Sequence, residues 1–304
     1  MKARSFLTFT TLALTLSMLV FFSSCKKETT TGPAGDPGAA AQKAAQGHDI
    51  LIPKIALLAN SGGSDTTVFN FTNAVTLYNE AITLDPNNAD AHFGLALIDF
   101  LSLAGDPQVR NLASGQMGDF RPVFLESLLN PSSGTAGIFT QYATALRDRF
   151  TGSFNQRINQ ALGKGTMSAA NPPSYYQNIL ETAMLTKLIS AINHLNVTLS
   201  NSSYALLITP TMMGGSTTVT YRIDATEINL LRGFLQFLTA DISGLVAYNF
   251  DYNRSDSAAV HAAWQPASSF LAFRPNGGQR MRDVRTYFTG AATSIQGGLN
   301  FLMN

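Results

Sequence analysis

Apolar side chains recur at three- and four-residue intervals along most of the chain, the spacing that places them on one face of an α-helix. The clearest such segment, residues 71–101, is divided in two by Asp85-Pro86-Asn87-Asn88. Proline disfavours helical geometry in the residue before it and asparagine suits a turn, so one helix ends here and a second begins at Ala89. A weaker helical stretch at 39–60 precedes this pair, and Pro53 within it predicts a kink or a restart.

The rest of the chain is predicted to be helical with one exception. Apolar stripes predict five further helices, at 122–129, 138–162, 175–195, 228–248 and 279–303. Asp224 and Glu227 have the spacing of a capping pair before the helix at 228–248. Two β-prone runs, 204–211 and 217–223, predict a hairpin or an ordered loop. The pattern therefore predicts an all-α fold, a helical-hairpin array extended by further packed helices, with a small β-hairpin near 204–223.

The segment at 71–101 resembles the tetratricopeptide repeat (TPR). The family's helix B has a small, an aromatic and a small residue and closes with a proline, and its next helix A carries a Leu-Gly or Leu-Ala pair. The matching positions here are Ala74, Tyr78, Ala81, Pro86, Leu95 and Ala96. The resemblance implies that the small residues permit close helix approach and that Tyr78 fills the groove between helices.

The repeat does not continue along the chain. The 34-residue period is lost after Leu103, whereas a stable solenoid needs about three repeats. The remaining helices must therefore cover the apolar faces of this pair. We expect a single helical domain at 39–304, with a TPR-like part at 39–103 and additional helices at 104–304.

The N-terminal segment has the pattern of a bacterial export signal. Lys2 and Arg4 precede an uncharged, largely apolar run at 5–24. Residues 22–25, Phe-Ser-Ser-Cys, resemble the lipobox of bacterial lipoproteins, with phenylalanine where leucine is commonest. Cys25 is the only cysteine, so no disulfide can be internal. The resemblance implies a signal peptide at 1–24 and palmitate on Cys25. The alternatives are a plain membrane anchor and an incidental cysteine.

Residues 25–38 predict a flexible tether to the membrane. Glycine and proline are dense there and large apolar side chains are absent, so the segment cannot bury enough surface to offset the entropy of ordering. In the enterobacterial sorting rule, aspartate after the lipidated cysteine signals inner-membrane retention, whereas Lys26 stands here. The lipid on Cys25 therefore implies a membrane partner, with the outer membrane of the bacterial envelope as the expected address.

Charge argues against a nucleic-acid partner. Removing residues 1–24 takes two of the 20 basic side chains and none of the 19 acidic ones, which leaves a net charge near minus one. A protein that binds nucleic acid through its phosphates would show a basic excess or a basic stripe, and this chain shows neither.

Candidate chemistry is sparse. The histidines have no partner at metal-ligand spacing and are interpreted as surface or helix-packing residues: His48, His92, His194 and His261. Gly163-Lys164-Gly165-Thr166 lacks the upstream glycine of a phosphate-binding loop, and no Gly-x-Ser-x-Gly nucleophile motif is present. The sequence therefore predicts no metal, no cofactor and no catalytic residues.

A few polar and aromatic positions leave alternatives open. Asp99 and Asp241 lie in strongly apolar helical stretches, where they face solvent, cap a neighbouring helix or mark an internal polar pocket. Aromatic residues at helix ends form rim packing or line a ligand site. The candidates are Tyr175, Tyr176, Tyr248, Phe250 and Tyr252, the last close to Arg254.

Two classes of function remain. The first is a lipoprotein that binds or scaffolds an envelope protein or holds a small ligand through a helical groove. Within this class the chain also resembles the periplasmic TPR lipoprotein that partners substrate-binding proteins of TRAP transporters, whereas starch-utilisation lipoproteins are usually longer. The alternative is an envelope hydrolase acting on cell wall or glycan, which needs paired carboxylates or an activated nucleophile that the spacing does not show. We expect a binding protein and not an enzyme.

Overall fold

The structure is a computed structural model that describes residues 35–61, 66–109, 173–212, 220–251 and 268–303. Helices form most of these ranges. In chain order these ranges hold α1 (Pro37–Ser61), α2 (Thr72–Leu84), α3 (Ala89–Gly105), α4 (Pro173–Ile179), α5 (Thr186–Ser200), β1 (Leu206–Ile208), β2 (Tyr221–Ile223), α6 (Ala225–Ala247) and α7 (Gly277–Met303). A 3₁₀ turn, Thr66–Phe69, precedes α2. The predicted all-α class with one small hairpin is confirmed. The predicted helices at 122–129 and 138–162 lie outside the described residues.

The boundary between α2 and α3 falls where the sequence predicts it. Helix α2 ends at Leu84, and the carboxylate of Asp85 accepts a hydrogen bond from the backbone of Asn87 in the turn. The Asn88 side chain then caps α3 by accepting the backbone N–H of Ala91 at 2.9 Å.

Helix α1 continues through Pro53, so the predicted restart does not occur. Proline removes one backbone hydrogen bond from the helix interior. Leu51, Ile52 and Ile55, next to it in the chain, are buried in the core. Each buried aliphatic side chain contributes about 1.5–3 kcal/mol, which offsets the lost hydrogen bond.

The helix predicted at 175–195 is present but is not regular. Between α4 and α5 the backbone forms a π-helical segment, Leu180–Leu185, which the apolar pattern does not predict. Glu181 lies in this wider turn and forms ion pairs with Arg280 at 2.9 Å and Arg274 at 3.6 Å. The segment thus links α4 and α5 to the start of α7.

The hairpin is shorter than the sequence predicts. Each strand has three residues, paired antiparallel so that Leu206 lies opposite Ile223. Both of these side chains are buried, which fastens the hairpin to the helical core. Residues 213–216, between the two β-prone runs, lie outside the described residues.

Helices α6 and α7 form the most extensive pair among the described residues. The predicted capping pair is present: the Asp224 side chain accepts the backbone N–H of Thr226, and Glu227 accepts the backbone N–H of Asp224. Glycines allow the two helices to approach closely, because a methyl group on Gly233 would meet Ile295 at 2.9 Å.

Helix α6 has the length and apolar composition of a membrane span, and no other helix in the described ranges does. Half of its most apolar stretch is buried within the protein. Leu231, Leu235 and Val246 are among the most deeply buried side chains. We therefore interpret α6 as a core helix.

The helices that follow the TPR-like part cover α3. Helix α5 packs along it. The Phe93 ring lies 5.9 Å from that of Tyr204, which precedes β1, and Phe100 meets Phe234 of α6 edge to face at 6.0 Å. The apolar surface of α3 is consequently occupied by other parts of the same chain.

Candidate functional site

Tyr78 occupies the centre of the TPR-like part. Its side chain is fully buried between α1 and α3, where Gly47 and Gly94 lie directly against the ring. A methyl group on Gly47 would come within 2.5 Å of the ring, and one on Gly94 would also overlap it. The two glycines therefore create the space that the aromatic ring fills.

The other TPR-like positions lie around this ring. Ala74, Ala81 and Ala96 are fully buried and Leu95 is nearly so. Pro86 is exposed in the turn before α3. The buried alanines and Leu95 serve helix packing, and the polar side chains nearby lie outside the motif.

A chain of polar side chains runs from Tyr78 towards the surface. The Tyr78 hydroxyl lies 2.8 Å from Nδ1 of His48, and burial raises its pKa, so it remains protonated. Because the hydroxyl donates its hydrogen bond to Nδ1, the neutral imidazole of His48 carries its own hydrogen on Nε2. That Nε2 faces Asp90, with 3.6 Å between it and Oδ1. The resulting order is phenol, imidazole and carboxylate.

Tyr204 approaches Asp90 as a second donor. Burial raises the pKa of Tyr204, and the negative charge of Asp90 raises it further. For Asp90 itself burial acts to raise the pKa, but His48 and the Tyr204 hydroxyl outweigh burial, so the pKa lies below its ordinary value. The Asp90 side chain is 41% exposed, whereas the residues His48 and Tyr204 are 3% and 7% exposed. The Asp90 carboxylate is therefore ionised and partly exposed to solvent, whereas the two groups that lower its pKa are buried.

This polar chain is not a hydrolytic triad, although its groups occur in the same order. In a triad the hydroxyl must reach the substrate and the imidazole must remove its proton. Tyr78 has no exposed surface, and its pKa is raised, which opposes formation of a phenolate. The part of this chain that solvent reaches is the carboxylate of Asp90.

A second pair of histidines joins α3 to α5. Nδ1 of His92 lies 2.8 Å from Nδ1 of His194, and Nε2 of His92 donates to the backbone carbonyl of Pro86 at 3.0 Å. Burial, and then the charge of His92, lower the pKa of His194 to about 4. The pair therefore connects the turn before α3 to the helix that covers it. The sequence gives no reason to associate these two histidines.

The described residues contain no group of three or more histidine, cysteine, aspartate or glutamate side chains arranged to hold a metal ion. Cys25, His261 and the segment Gly163-Lys164-Gly165-Thr166 lie outside the described residues.

The two aspartates in apolar helices lie at partly buried positions. Burial raises the pKa of Asp99, and Ser190 and Lys187 of α5 interact with it. Asp99 therefore faces a neighbouring helix. Asp241 in α6 is also partly buried.

The aromatic residues at helix ends make packing contacts with other rings. Tyr248 stacks on Phe273 with 4.9 Å between centroids, and Tyr175 meets Tyr176 at 5.4 Å. Phe250 is partly buried, and Tyr252 and Arg254 lie outside the described residues. These contacts fit the rim-packing interpretation.

Two residues of the site are not indicated by the sequence pattern. Tyr204 is predicted only as part of a β-prone run, yet its hydroxyl contributes to the lowered pKa of Asp90. Gly47 lies inside the weaker predicted helix, and only the position of the Tyr78 ring reveals its role. The histidine and the aspartate in the polar chain are 42 positions apart, so no local spacing connects them.

A profile of the TPR repeat family matches residues 70–100, which include α2 and most of α3. The match covers about a tenth of the chain. No curated protein and no solved structure matches the chain significantly. The chain thus contains a TPR-like helical part, and a TPR repeat indicates a role in protein interaction or scaffolding.

Proposed function

We propose that this protein is a lipid-anchored lipoprotein of the bacterial envelope that binds or scaffolds another envelope protein. The observation that carries the proposal is the TPR hairpin of α2 and α3, matched by the family profile at 70–100. Repeats of this type present surfaces between helices to other proteins. The lipobox-like residues 22–25 and the tether at 25–38 support the anchor, with the outer membrane as its address.

The contacts of α3 restrict where a partner binds. Helix α5 and the segment around Tyr204 cover its apolar face, so that face is not a free groove for a peptide. The accessible surface of the TPR-like part is instead the outer side of α1 and α2, together with the Asp90 side chain at the start of α3. A protein partner fits this surface better than a small ligand, which requires a concave pocket.

Recovery of a partner tests the proposal. The full-length chain with a C-terminal tag is expressed in its own organism and purified from detergent-solubilised envelopes. A defined envelope protein should be recovered in constant ratio to the chain, and it should be absent when a tagged unrelated lipoprotein is used. Recovery of the chain alone, at low salt and after mild cross-linking, would contradict a binding role.

A further inference from the structure

The TPR-like part carries an excess of negative charge that the rest of the chain does not. Between residues 39 and 103 there are six acidic and two basic side chains, although the whole chain has a formal charge of +1. The electrostatic potential of this part is therefore negative, and a cationic partner would be attracted to it.

The two lysines of this part are held away from Asp90. Lys43 forms an ion pair with Glu80 at 2.7 Å, and Lys54 donates to the backbone carbonyl of Asn70 at 2.7 Å. The described residues show no lysine or arginine paired with Asp90. The Asp90 side chain is 41% exposed, and among the described residues His48 is the group that the structure places against it.

Buried polar atoms point to Asp90 from inside the protein. Nε2 of His48 and the hydroxyl of Tyr204 are both fully shielded from solvent, and neither makes a hydrogen bond of ordinary length. Both belong to residues more than nine-tenths buried, and both act on Asp90. Unsatisfied buried donors are costly and uncommon in folded proteins. Here Nε2 of His48 lies 3.6 Å from the Asp90 carboxylate on its inner side, and the outer lone pairs of that carboxylate remain for another donor.

We propose that the Asp90 carboxylate, positioned by His48 and Tyr204, is the docking point for a lysine or arginine side chain of the partner protein. This inference rests on the proposed function and names the chemistry of its partner. A cationic side chain donates charge-assisted hydrogen bonds to the exposed oxygens of the carboxylate. Asp49, exposed on α1, adds to the negative charge of the TPR-like part.

The test compares four tagged full-length chains recovered from the envelope: wild type, Asp90→Asn, Asp49→Asn and Tyr204→Phe. Asp90→Asn keeps the shape of the side chain and removes its charge, so recovery of the partner should fall about tenfold. Asp49→Asn removes the same charge nearby and should reduce recovery much less. Tyr204→Phe changes no charge but loosens the carboxylate, and it should weaken binding by about threefold.

Each outcome decides between the alternatives. Equal recovery by wild type and Asp90→Asn would overturn the docking point and leave the proposed function standing. Equal losses for Asp90→Asn and Asp49→Asn would mean that binding depends on the total negative charge and not on Asp90, and they would also overturn the docking point. If the wild type recovers no partner, the proposed function fails and the inference fails with it. Helical circular dichroism of each purified variant verifies that the fold is retained, and a carbodiimide cross-link from Asp90 to a partner lysine would locate the contact.

Discussion

Replacing Gly94 by alanine should destabilise the protein, although alanine is the better helix former. Gly94 lies within α3, and an added methyl group would overlap the ring of Tyr78. The ring has little room to move, because Gly47 of α1 also lies against it. The substitution therefore sets intrinsic helix preference against side-chain packing.

The two effects have different magnitudes. Overpacking a well-filled core costs about 1–3 kcal/mol, and the overlap with a rigid aromatic ring places this case in the upper half of that range. Replacing a helical glycine by alanine gains about 1 kcal/mol. The free energy of unfolding should therefore decrease by about 1–2 kcal/mol.

Urea unfolding monitored by circular dichroism measures this difference. The same substitution made in a Tyr78→Ala protein tests whether the ring is its cause. Tyr78→Ala alone should cost about 3–5 kcal/mol as a large-to-small core change. Once the ring is removed, Gly94→Ala should become stabilising by about 1 kcal/mol. The matched control is Gly278→Ala in α7, where an added methyl group meets nothing within 4 Å. If Gly94→Ala behaves like Gly278→Ala in the presence of Tyr78, the ring does not occupy the position described.

Three further predictions concern the anchor and the two polar clusters. Radiolabelled palmitate should be incorporated in a bacterial host and Cys25→Ser should abolish labelling, so a labelled serine variant would exclude the lipobox interpretation. The lowered pKa of His194 means that the unfolded chain binds a proton more readily, so stability should fall as the pH drops from about 6.5 towards 4. Because the ring is partly exposed, the loss should be about 1 kcal/mol, and His194→Gln should remove it in pH-dependent urea titrations. Tyr78→Phe leaves Nδ1 of His48 without its donor and should cost about 1–3 kcal/mol by urea unfolding, whereas no measurable cost would mean that the 2.8 Å contact is not a hydrogen bond.

The sequence predicts helix ends correctly where the interacting residues are close together in the chain. The end of α2 and the start of α3 follow from Pro86 and Asn88, because proline restricts the residue before it and an asparagine side chain caps the next helix. The start of α6 follows from Asp224 and Glu227 for the same kind of reason. In each case the atoms that interact are within four residues of one another.

Local signals were insufficient where tertiary contacts decide. The core residues around Pro53 keep α1 continuous, so the restart that proline favours in an isolated helix does not occur here. The π-helical segment at Leu180–Leu185 shifts the helical face by a fraction of a turn, which an apolar pattern does not resolve. His92 and His194 are 102 positions apart in sequence, and only the packing of α5 on α3 brings their rings together.

The elements that cover the TPR-like part determine which of its surfaces a partner can reach. In an array of repeats, each helix pair is covered by the next pair, and the exposed surface between helices serves partners. Here α5 and the segment around Tyr204 take the place of the next pair. The hydroxyl of Tyr204 also acts on Asp90, at the start of the helix that it covers. Tyr204 therefore both packs on the apolar side of α3 and lowers the pKa of a carboxylate at the start of that helix, so the partner that we propose would be recognised by charge rather than by apolar packing.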